Sequence, residues 1–74
     1  MKVKPIESLE EGMDHVANFV GKPEEFELAI PESLLDPLGI NMSLITDRVL
    51  GRGWQPDGFT QGNGFRLYRY KELS

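Results

Sequence analysis

Cysteine is absent from these 74 residues, which excludes disulfides, thiolate metal sites and a cysteine nucleophile. Long apolar runs are absent too, and none approaches the ~20 residues a helix needs to span a bilayer. Histidine occurs once, as His15, and tryptophan once, as Trp54. The opening segment MKVKPIESLEEG has two lysines but no apolar stretch behind them, unlike a secretory signal. These absences lead to the expectation of a cytoplasmic protein with no membrane partner. Phosphate loops, dinucleotide fingerprints and nucleophile motifs are also missing, and Gly62-Asn63-Gly64-Phe65 is not a phosphate loop because no helix follows it.

What remains is an ordinary globular composition, 39% hydrophobic and 27% charged. At this length there is one domain, 1–74, with a marginal core. Without staples such a chain must pack well or self-associate, most often about a two-fold axis. The net charge of −4 is unevenly spread. Residues 1–37 carry nine acids against Lys2, Lys4 and Lys22, whereas residues 38–74 carry Asp47, Asp57 and Glu72 against four arginines and Lys71. The whole chain therefore repels polyanions at long range, while its second half can present a modest basic face.

Along the chain, residues 1–7 read as an N-terminal arm and 8–71 as the core. Ser8-Leu9-Glu10-Glu11 is a capping box in which the Ser8 hydroxyl accepts from the Glu11 amide and Glu11 reaches back to the Ser8 amide. Leu9, Met13, Val16, Ala17 and Val20 fall on one helical stripe, so the first helix is expected over 9–20, with Gly12 a local weakness and Gly21 and Pro23 ending it. Glu25 to Ile30 alternates acid and apolar, a half-buried strand with Phe26, Leu28 and Ile30 inward. Glu32 to Asp36 is expected to be one helical turn, kept short by Pro37. Leu38-Gly39-Ile40 is a turn, Asn41 an N-cap, and Met42, Ile45, Val49 and Leu50 the apolar face of a helix over 42–50. Trp54 to Gln61 reads as an edge or bulged strand because of Pro56. Gly62-Asn63-Gly64 is a turn, and Phe65 to Lys71 alternates again as a strand.

The segment LLDPLGINMSLITDRVLGRGW, followed by QPDGFTQGNGFRLYRYK, resembles the helix, turn, recognition helix and wing of the winged helix-turn-helix superfamily. The resemblance implies an α+β domain of order α-β-α-α-β-β with a three-stranded antiparallel sheet. It places the recognition helix at 42–50 and the wing at 61–66. It also implies DNA binding through Ser43, Thr46, Arg48, Arg66, Arg69 and Lys71. Two departures stand out. Pro37 leaves the first helix of the pair short, and the recognition helix offers an acid, Asp47, beside its one base, Arg48, where groove readers usually display Arg, Lys, Asn or Gln. The alternative is a two-layer α+β domain with helices on one face of the sheet, built from the same core residues.

Fold does not fix function. In the last strand, Arg66, Tyr68 and Tyr70 share one face, and Phe65, Leu67, Arg69 and Lys71 the other. The conservative reading has Phe65 and Leu67 in the core and tyrosines outside. Trp54 and Phe65 are expected in the core, and Phe59, Tyr68 and Tyr70 at an interface, since aromatic residues and arginine dominate binding hot spots. His15 near Glu11 reads as a solvated helix residue, not a metal ligand. Glu24, Glu25, Glu27 and Glu32 read as a solubilising edge, not as an acid–base pair. The expectation is a non-enzymatic module for protein–protein or self-association, a protein partner or homodimer, with no cofactor and no metal. A DNA-binding regulator is the runner-up.

Overall fold

The computed structural model describes residues 4–74, and Met1 to Val3 of the expected arm lie outside them. The architecture is the expected small α+β domain. In chain order it comprises α1 (Leu9–Asn18), a 3₁₀ turn (Pro23–Glu25), β1 (Glu27–Pro31), a second 3₁₀ turn (Glu32–Leu34), α2 (Ile40–Gly51), β2 (Trp54–Gly62) and β3 (Phe65–Glu72). The segment expected to be a second helix is thus a single 3₁₀ turn, because Pro37 prevents its extension. The strands form one antiparallel sheet in the order β1-β3-β2.

α1 starts as the capping residues dictate, with the Ser8 hydroxyl accepting from the Glu11 amide at 3.1 Å. The Glu11 carboxylate, however, accepts from the Glu7 amide at 3.0 Å and not from that of Ser8. The helix ends at Asn18, two residues short of expectation, so Val20 leaves the stripe and stands 93% exposed. Val16 is buried, while Leu9 and Met13 pack at the core margin. Gly12 is not merely a weak helix former. A Cβ there would sit 2.8 Å from the Ile6 Cδ1 and 3.4 Å from that of Ile45, so the glycine lets three elements converge. Ile6 itself is buried, and its amide donates to the Ala29 carbonyl at 3.0 Å, which docks the described part of the arm on the outer edge of β1.

Both helices cover one face of the sheet. Leu28 and Ile30 of β1 and Tyr68 and Tyr70 of β3 join Val16, Ile45, Val49, Phe26 and Trp54 in the core. Fully burying each of the aliphatic side chains contributes about 1.5–3 kcal/mol. At one pole the rings of Phe19, Phe26, Trp54 and Tyr70 meet with neighbouring centroids 5.0–6.0 Å apart. The opposite face carries Phe65, Leu67, Arg69 and Lys71, and no helix of the described residues lies over it. Phe65 and Leu67 are only half-buried there, which reverses the expectation that they fill the core beneath outward tyrosines. β2 is an edge strand with a bulge between Pro56 and Phe59, as the proline indicated, and Gly58 occupies a positive φ of 93° within it.

Candidate functional site

The start of α2 is built from its flanking loop. Gly39 takes the left-handed conformation at φ 73°, and the Asp36 carboxylate accepts from the amides of both Ile40 and Asn41 at 2.9 Å. Asp36 therefore does the capping expected of Asn41. Asn41 instead donates its side-chain amide to the Leu34 carbonyl at 2.6 Å and ties the 3₁₀ turn to the helix. The two amides, that of Asn41 foremost, hold the Asp36 pKa below the ordinary carboxylate range.

This geometry turns α2 with Ile45 and Val49 inward and leaves apolar residues uncovered at its N-terminal half. Leu38 is 82% exposed, Ile40 54% and Leu44 42%. Ile40 and Leu44 are one turn apart on the same flank of α2. Towards the helix C-terminus, Ala17 of α1 and Asp47, Arg48, Gly51 and Arg52 line a shallow cleft of about 360 Å³ between the helices. Arg52 is committed to the fold. Its Nη1 donates to the carbonyls of Val16 at 2.8 Å and Phe19 at 2.7 Å, and its guanidinium lies 4.2 Å from the Trp54 ring centroid. It thus satisfies carbonyls at the C-terminal end of α1, a role that no spacing along the chain discloses.

A second exposed cluster lies near the hairpin. The Phe59 ring stacks on Tyr68 at 5.1 Å and carries the Arg66 guanidinium 4.7 Å above its centroid. Arg66 donates to the Tyr68 hydroxyl at 3.1 Å and to Gln61 Oε1 at 3.2 Å, and Gln61 Nε2 donates to Glu32. Of the three expected interface residues only Phe59, 47% exposed, offers a ring to solvent. Tyr68 is 8% exposed and Tyr70 2%, so both belong to the core. Among the described residues the buried Tyr70 hydroxyl has no hydrogen-bond partner, and burial, followed by the proximity of Tyr68, raises its pKa above that of an ordinary phenol.

The six residues that the winged-helix resemblance implies for DNA do not share one face. Ser43 and Arg48 are exposed on α2 and Thr46 is half-buried. At 100° per residue Thr46 and Arg48 point roughly 160° apart. Arg66 lies on the helix-covered side of the sheet, bound to Tyr68, whereas Arg69 and Lys71 project from the open side. There Arg69 donates to the Thr60 hydroxyl at 3.0 Å and Lys71 pairs with Asp57 at 3.5 Å. His15 lies 3.6 Å from Glu11 on the surface of α1, and among the described residues no three His, Asp or Glu side chains converge. Of the acids near β1, Glu25 accepts from the Lys22 amide at 2.9 Å. No helix of the described residues is long and apolar enough to cross a membrane. Comparison with protein-family models, with curated proteins and with solved structures finds no match.

Proposed function

We propose that this chain is a small non-enzymatic binding module that docks another polypeptide on the N-terminal half of α2. The supporting observation is the ridge of Leu38, Ile40 and Leu44, each more than two-fifths exposed. It lies within a segment, Pro37 to Thr46, that contains no charged residue in a chain otherwise rich in charge. Single exposed leucines are common, but several exposed apolar side chains within one stretch free of charge are characteristic of contact sites. The ridge is also held rigidly. Asp36, Gly39 and Asn41 fix the loop and the helix start, so docking costs little ordering entropy.

The test is affinity capture from the cell of origin with the wild type and with the Ile40→Ser/Leu44→Ser double variant, both checked for native circular dichroism. Proteins held by the wild type and lost from the variant are the expected result. An identical captured set would overturn the ridge. DNA that co-sediments with the protein, is released steeply by salt and is lost on Arg48→Ala would favour the winged-helix regulator instead.

A further inference from the structure

The sheet has two unlike edges. At β1 the outward carbonyl of Ala29 is taken by the Ile6 amide. β2, at the other side, has no neighbouring strand among the described residues. Its first half is defended against pairing. Pro56 has no amide, the bulge follows it, and Asp57 places a charge there, held by Lys71. Its second half has none of these features. Phe59, Thr60, Gln61 and Gly62 are regular, exposed and uncharged.

The direction of the free backbone groups follows from the register. Ala29 turns its carbonyl away from β3, so its opposite residue, Leu67, bonds across to Thr60 on β2. Alternation then directs the N–H and C=O of Phe59 and Gln61 outward, away from β3. Those groups form a complementary pair two residues apart.

We infer that β2 is a pairing seam for a second copy of this chain, joined antiparallel about a two-fold axis at Thr60. In that arrangement Phe59 exchanges both backbone hydrogen bonds with Gln61 of the second copy, and Gln61 does the same with its Phe59. Thr60 faces Thr60, a favourable cross-strand pair, and each exposed Phe59 ring gains the aliphatic part of the opposing Gln61 as cover. A second copy fits better than a charged foreign strand. Gly58 to Phe65 carries no charge of its own, and the charged side chains beside it, Arg66, Arg69 and Glu32, are engaged within the chain by Phe59, Gln61 and Thr60, so two copies of net charge −4 meet there at low electrostatic cost. The joined sheet has six strands, and the seam is separate from the α2 ridge, so the dimer would display that ridge twice.

Sedimentation across a concentration series, paired with amide hydrogen exchange by NMR, tests this. The expected result is a monomer–dimer transition in which the Phe59 and Gln61 amides gain protection as the dimer forms. Gln61→Pro, which removes only an outward amide from the backbone, should be folded and monomeric. Gln61→Ala, which loses the same side-chain contacts but keeps the amide, should still dimerise. A monomer at every concentration, or a dimer whose Phe59 and Gln61 amides remain labile, would overturn the seam. Should Gln61→Pro not fold, the wild-type amide protection decides alone. The Ile40→Ser/Leu44→Ser variant should dimerise normally. A dimer abolished by that variant, with labile edge amides, would move self-association to the ridge and leave the proposed function standing.

Discussion

Arg52 and Arg66 each set a guanidinium over an aromatic ring, at 4.2 Å from the centroid of Trp54 and 4.7 Å from that of Phe59. On paper the two pairs are the same motif. At the Trp54 pole the ring is buried among Phe19, Phe26 and Tyr70, and the arginine also binds two carbonyls of α1. At the Phe59 pole the ring is half open, and among the described residues its arginine bonds only Gln61 and a tyrosine hydroxyl. The same chemistry therefore closes a core at one end and builds an exposed platform at the other. What separates them is the third partner. Helix carbonyls are fixed and need donors, whereas the exposed Gln61 has water as an alternative.

Truncating the two rings breaks the comparison most sharply. Trp54→Ala should cost about 3–5 kcal/mol, most of the stability of a domain this size. Phe59→Ala should cost less than about 1 kcal/mol, because its ring already faces solvent. Urea unfolding followed by circular dichroism reads both. Equal losses would mean that Phe59 belongs to the core and that its exposure is not a binding feature.

Much of this asymmetry was legible in the chain, though unevenly. Ser8 announced the start of α1, the alternation around Phe26, Leu28 and Ile30 announced β1, and Pro56 announced a bulged edge strand. These signals are local, and each acts through one or two neighbours. The face of β3 was not legible. Phe65 and Leu67 alternate with Tyr68 and Tyr70, so both faces look apolar, and only the pairing of β1 with the helices above it decides which is buried. Ile6 lies in a charged lead-in with no periodicity around it, so nothing marked it as core. Gly12 reads as a helix defect until Ile6 and Ile45 are seen against it. At the candidate site, Phe59 was visible as an exposed aromatic beside a glycine. The ridge of Leu38, Ile40 and Leu44 was not, because these residues stand among other apolar residues and only the packing of Ile45 and Val49 into the core shows which flank of α2 is left uncovered.

The arginines sharpen the comparison at smaller amplitude. Arg52→Ala leaves the carbonyls of Val16 and Phe19 without their donor and should cost about 1–2 kcal/mol. Lysine should restore only part of this, since one ammonium cannot both stack on Trp54 and hold the same fork. Arg66→Ala, at a half-buried position that satisfies no helix carbonyl, should cost less, about 0.5–1 kcal/mol. If the order were reversed, Arg66 would be the structural residue, and the Phe59 platform would be a satellite of the core.

The smallest effect concerns the buried pole alone and has the opposite sign. The Tyr70 hydroxyl is desolvated and has no hydrogen-bond partner among the described residues, so it contributes cost without return. Tyr70→Phe removes the unpaired group and keeps the ring against Phe26, and it should stabilise the domain by about 1 kcal/mol. The gain should grow in alkali. The folded-state pKa of Tyr70 is raised, so its contribution is intact below the ordinary phenol value of about 10 and is lost as pH rises above it, because the unfolded chain ionises first. Wild-type stability should therefore fall more steeply than that of Tyr70→Phe above that pH, measured as urea midpoints at a series of alkaline pH values. Parallel slopes would mean that the hydroxyl reaches water in solution, and the closed pole would then be less sealed than the stacking of its four rings implies.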